Sequence, residues 1–146
     1  IIRQAEAHVE QWGHWHGPTT ADRLADDTKY MSLAVRELAV DRNVAAIAVF
    51  TMSGRTAVFV SKTRPTAPIL AFTPDLRTYN RLQMYWGIVP YIVPHSTSLD
   101  QMLADVDDVI NSYKLVKPGR QIVLTCGYPV ATISPTNLIL LHTIPG

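Results

Sequence analysis

Short uncharged apolar runs alternate along this chain with stretches whose apolar residues recur at helical spacing. The runs at 44–50, 68–72, 88–93 and 121–125 are bounded by Ser, Thr, Gly, Asp or Pro. Strands buried on both faces of a parallel sheet read this way. Met31, Val35, Leu38 and Ala39 form the stripe of a helix predicted over 28–41, with Asp26, Asp27 and Thr28 as its candidate caps. Leu99, Met102, Leu103, Val106, Val109, Ile110 and Tyr113 form a second stripe, opened by a Ser98/Gln101 capping-box pair and stopped by Pro118-Gly119. Asp75 opens a shorter helix reaching about Tyr85. Segment 56–61 is rich in β-branched residues, yet it lies between two apolar runs. Parallel strands need a crossover, so it is read as a helix.

Pro90 and Pro94 place run 88–93 at an edge or give it a bend. A final run, 137–144, follows strand 121–125 through a loop too short for a crossover helix and is therefore predicted antiparallel. Together these elements predict an α/β fold: a three-layer α/β/α sandwich around a mostly parallel five-stranded sheet with a last antiparallel strand. Ligands are expected at the carboxyl ends of its parallel strands. Ahead of it, Ile1 or Ile2, Ala5, Val9 and Trp12 mark one amphipathic helix that ends by Gly13, and residues 13–27 are polar and turn-like.

The 146 residues carry 13 basic and 12 acidic side chains for a net charge of +1, with 47% apolar residues, which describes one globular domain. No Lys/Arg cluster tracks a phosphate backbone, so nucleic acid is not an expected partner. No apolar run approaches the roughly 20 residues of a membrane span, and the opening residues lack a signal-peptide pattern. The lone Cys126 excludes an internal disulfide, fits a reducing cytoplasm, and reads as a buried structural thiol. The absence of a starting Met suggests a trimmed product or an excised domain.

Chemistry concentrates at 51–57, Thr-Met-Ser-Gly-Arg-Thr-Ala, directly after the run 44–50. Strand, tight turn and helix start would bring unpaired amides and the positive end of a helix dipole together, an arrangement that suits phosphate. An ordinary capped turn with nothing bound would have the same spacing. Other clusters carry less. His14 and His16 lack a third ligand and read as an exposed loop rather than a metal site. Asp105, Asp107 and Asp108 read as the solvated outer face of a helix, and His95 and His142 as packing or capping residues without an acidic partner in sequence. Ser53 has no nearby His to serve as a base.

Thr51-x-Ser-Gly-Arg-Thr-Ala57, Ser61-x-x-Arg-Pro-x-Ala-Pro-Ile69, Trp86-Gly-Ile-Val-Pro90 and Thr136-Asn137 stand in the order and spacing of pyruvate kinase, and the chain resembles its C-terminal domain from about Thr28 to Ile144. The resemblance implies that residues 1–17 correspond to the last helix of the family's catalytic barrel and 18–146 to the α/β domain. The rest of the barrel, with its phosphoryl-handling lysine and arginine and its magnesium and potassium ligands, has no counterpart in these residues. No catalytic residue and no cofactor are therefore expected here, and no phosphoryl transfer between phosphoenolpyruvate and ADP; a longer parent polypeptide would be pyruvate kinase.

The resemblance further implies a regulatory and oligomerisation domain in a cytoplasmic, glycolytic setting. Its phosphate-bearing effector, a small phosphorylated metabolite or inorganic phosphate or sulfate, would be held by the hydroxyls of Thr51, Ser53 and Thr56 and the amides of Ser53, Gly54 and Arg55. The loop 127–135 departs from the bacterial pattern, since Ala131, Ser134 and Pro135 replace two glycines and a threonine. Leu99-Asp-Gln-Met-Leu103 lacks the arginine that meets a second phosphate, so one phosphate fits better than a bisphosphate. Two alternatives stand beside this reading: a pure oligomerisation module with a vestigial phosphate loop, and a small stand-alone enzyme using the same pocket. Leu138, Leu140 and Ile144 alternate with Ile139 and Leu141 on an uncharged final strand, which is expected at the sheet edge as the seam of a homodimer.

Overall fold

The computed structural model describes residues 20–130 and 134–146, with side chains from residue 27 onward. The predicted helix over 1–12 and the His14/His16 loop lie outside these residues. Helix α1 (Thr20–Asp41) is followed by strand β1 (Ala46–Phe50), helix α2 (Arg55–Lys62), strand β2 (Ile69–Thr73) and helix α3 (Leu76–Leu82). Strand β3 (Ile88–Ile92), helix α4 (Leu99–Tyr113), and strands β4 (Gln121–Gly127) and β5 (Thr136–Thr143) complete the order.

The sheet runs β3-β2-β1-β4-β5. All neighbours are parallel except β4 and β5, which pair antiparallel as the short connecting loop requires. Strands β1 and β2 are buried at every position, the burial that their uninterrupted apolar runs predict. Ala46, Ala48, Phe50, Leu70, Phe72, Ile122 and Leu124 face α4, where Met102, Val106 and Ile110 close the core. Ile47, Val49, Ile69, Ala71 and Val123 face the other way, against Val35 and Ala39 of α1, Ala57 and Val60 of α2, and Leu82 of α3. These are the three layers expected, and β3, carrying Pro90, is an edge strand.

Helix α1 begins well before the predicted residue 28 and takes in Asp26 and Asp27, which therefore lie inside it rather than cap it. Residues 20–41 contain no Gly or Pro, and nothing in TADRLADD breaks helical continuity. Its buried line also includes Thr28 and Ser32, the Ser32 hydroxyl donating back to the Thr28 carbonyl at 2.7 Å. Small polar side chains that satisfy themselves locally let the helix lie close to its neighbours. Ser98 caps α4 as expected by accepting the Gln101 amide at 3.2 Å. The Gln101 side chain, however, reaches back to the Thr97 amide, one residue beyond the reciprocal partner of a capping box.

Candidate functional site

The sheet order reverses direction between β1 and β4, since the chain moves outward from β1 through β2 to β3 and then returns to the opposite side of β1 for β4. Open α/β sheets bind ligands at such a point, beyond the carboxyl ends of the strands. Here a cleft of about 540 Å³ opens there, bounded by Phe50 and Thr51 at the end of β1 and by Cys126 and Gly127 at the end of β4. Thr51, Ser53, Arg55 and Thr56 all line it. Gly54 lies beside it as the N-cap of α2, in the left-handed conformation at φ 84°. A Cβ there would come within 3.0 Å of Leu82 and 3.3 Å of Thr78, so conformation and packing both favour glycine.

The turn is closed by its own side chains. Thr51 Oγ1 accepts the Gly54 amide at 2.8 Å, and Ser53 Oγ accepts the Arg55 amide at 3.3 Å. The α2 ladder starts with Val58 donating to the Gly54 carbonyl, which leaves the Thr56 and Ala57 amides without a partner inside the helix. Each hydroxyl that accepts an amide keeps its own proton to donate. The residues that sequence brings together are thus adjacent, but two of the three expected amide donors reach the cleft only through a hydroxyl. Arg55 lines the cleft while its guanidinium lies 5.6 Å from the Phe59 ring centroid, one helical turn away.

Several residues join the site that sequence reasoning did not assign to it. Thr136, at the start of β5 and 2% exposed, places its hydroxyl 2.5 Å from that of Thr56 across 80 residues of chain. Thr28, His95 and Ser96 also line the cleft, the last donating to Asp105 at 3.1 Å. Asp105 therefore has a partner, and Asp107 pairs with His142 at 2.8 Å, so two of the three acidic positions on α4 are not the solvated face expected. Neither pairing has a sequence signal, because the partners are 9 and 35 residues apart and lie on different elements.

The far wall is built by a second close approach. Gly127 has no room for a Cβ, which would fall 2.5 Å from the Ser134 carbonyl oxygen. Asn137 holds the base of that loop by accepting the Tyr128 amide at 2.7 Å and donating to the Tyr128 carbonyl at 2.8 Å. Ser134 Oγ is buried and lines the cleft without a hydrogen-bond partner among the described residues. Burial pushes the Cys126 thiol up to about 11, which leaves it neutral and unreactive, as its reading as a structural residue requires. No group of His, Cys, Asp and Glu among the described residues is arranged to hold a metal ion.

A family model described as "Pyruvate kinase, alpha/beta domain" matches residues 29–142. The chain belongs to that family. A pyruvate kinase of Geobacillus stearothermophilus is 38% identical over 117 residues, covering 80% of this chain and 20% of that protein. The pyruvate kinase of Lactococcus lactis is 30% identical over 144 residues, 99% of this chain and 28% of that protein. One from Agrobacterium vitis is 32% identical over 137 residues, 94% and 28% respectively. The chain thus spans between a fifth and somewhat over a quarter of the length of these pyruvate kinase relatives. No helix of the described residues is long and apolar enough to cross a membrane.

Proposed function

We propose that this pyruvate kinase C-terminal domain is a regulatory and assembly unit whose strand-to-helix turn, Thr51 to Thr56, binds one phosphate group of a small cytoplasmic metabolite or inorganic phosphate itself. The observation that carries this reading is the cleft at the switch point between β1 and β4, into which hydroxyls and the amino end of α2 converge. The Ser134 hydroxyl, without a hydrogen-bond partner among the described residues, supports it from the opposite wall. Among the described residues lining the cleft no nucleophile is hydrogen-bonded to a base, which favours binding over catalysis, and these 146 residues are expected to give no turnover of phosphoenolpyruvate and ADP.

The test is a calorimetric titration with phosphate, sulfate and sugar phosphates. Saturable binding that is lost in Ser53→Asp, where a carboxylate is set beside the Arg55 amide, supports the proposal. Binding retained in that variant places the site elsewhere. A second reading, an assembly module with a vestigial loop, is favoured by the Thr51 and Ser53 side chains already holding the Gly54 and Arg55 amides. It predicts no binding in the same titration.

We further propose a two-fold dimer through β5, which among the described residues pairs with β4 on one side only. Leu138 and Leu140 pack inward against the α4-side core and Ile139 against the α1 side, so Leu141, 37% exposed, is the residue to alter. Leu141→Lys should dissociate the dimer in light scattering; a wild-type chain that remains monomeric at tens of micromolar refutes it.

A further inference from the structure

Helix α3 touches the turn through residues that do not line the cleft. Thr78, 3% exposed, donates its hydroxyl to the Met52 carbonyl at 2.7 Å, and the Arg81 guanidinium donates to the Ser53 carbonyl. Neither Thr78 nor Arg81 lines the cleft. Thr78 is itself held: its amide donates to Asp75 Oδ2 at 2.9 Å, and its one hydroxyl proton is shared between the Met52 carbonyl and the same Oδ2, also 2.9 Å away. The same two side chains and Leu82 crowd the position that a Cβ on Gly54 would take, at 3.3, 3.4 and 3.0 Å for Thr78, Arg81 and Leu82.

A trans peptide unit is planar, with its C=O and the following N–H pointing in opposite directions. Fixing the Met52 carbonyl on Thr78 therefore directs the Ser53 amide away from α3. Fixing the Ser53 carbonyl on Arg81 directs the Gly54 amide the same way, to Thr51 Oγ1 on the cleft wall. We infer that Thr78 and Arg81 are positioning residues which set the two peptide planes of the turn, so that its donors are aligned before any ligand arrives. The role in binding rests on the phosphate reading above; the orientation of the planes does not. Asp75 supports the arrangement by orienting Thr78, and Gly54 permits the close contact.

The experiment has two readouts on the same 146-residue chain. In the absence of ligand, amide hydrogen exchange at Gly54 should accelerate about tenfold or more in Thr78→Val and in Arg81→Met, and return to the wild-type rate in Thr78→Ser, which restores the hydroxyl. Exchange at Ile47 and Val123 in the core reports whether each variant remains folded; Arg81→Met alters an exposed side chain and keeps the test open should Thr78→Val unfold. Gly54 exchange unchanged in a folded variant overturns the inference. Inorganic phosphate is then titrated into each form. Wild-type binding weakened about tenfold by Thr78→Val and rescued by Thr78→Ser supports the positioning role, and undiminished binding in both variants overturns it. Wild-type chain that shows the exchange effect but binds no phosphate keeps the positioning of the planes and removes the phosphate reading instead.

Discussion

His142 on β5 and Asp107 on α4 meet at 2.8 Å, Nε2 to Oδ1, each side chain about one-fifth exposed. The contact ties the outermost strand of the sheet to the helix that covers its face. A half-buried pair of this geometry should show a coupling of about 1 kcal/mol. A double-mutant cycle with His142→Ala and Asp107→Ala measures it by urea unfolding. Additivity within about 0.3 kcal/mol would show that the contact contributes nothing of its own.

Asp75 caps α3, and the bonds it accepts from the Thr78 backbone and hydroxyl hold its carboxyl below the ordinary value of 3.8. A lowered folded value means that the cap's contribution is fully present above pH 3.8 and is lost as pH falls through the lowered value. The stability difference between wild type and Asp75→Asn should therefore be constant from neutrality to about pH 5 and shrink in stronger acid. A difference that persists unchanged at pH 2 would count against the cap.

With its thiol at about 11, Cys126 has about one molecule in a thousand ionised at pH 8. A disulfide reagent should label the native chain orders of magnitude more slowly than the chain in denaturant. Rapid native labelling would mean that β4 opens at its carboxyl end.

Phe72 is fully buried and stacks between Phe50 at 5.3 Å and Tyr91 at 5.7 Å, joining three strands. Phe72→Ala should cost about 3–5 kcal/mol, read from thermal or denaturant unfolding. Gly127→Ala should act differently. Its Cβ would meet backbone rather than a movable side chain, so a cost of about 1–3 kcal/mol should be accompanied by displaced resonances at Ser134 and Tyr128.

The layers and the sheet were legible because burial on both faces leaves only apolar residues, as in Ala46–Phe50, and because a short loop can join β4 to β5 only antiparallel. Crossover logic identified α2 where the β-branched residues of its sequence would have argued for a strand. The start of α1 is not legible, since Asp26 and Asp27 resemble caps when nothing in the local sequence says whether a helix has already begun. At the site, Thr51 to Thr56 were legible because they are contiguous. Thr136, Thr78 and Arg81 were not read as part of it, because they reach the turn from β5 and α3 and only the folded chain brings them within hydrogen-bond distance. His142 and Asp107 illustrate the same limit: an aspartate looks solvated until the strand whose side chain bonds it is placed.

The two borders of the sheet are unlike. At β3 a proline, Pro90, sits opposite Ala71 in the middle of the strand, and a proline is tolerated there only with its ring turned to solvent, where it obstructs any further strand. At β5 the ladder ends on residues that each carry an amide. Among the described residues, the border open to a further strand is therefore that of β5. In the dimer proposed above, two copies joined there in antiparallel fashion would each use the border that the described residues leave open, giving a closed pair rather than a fibre.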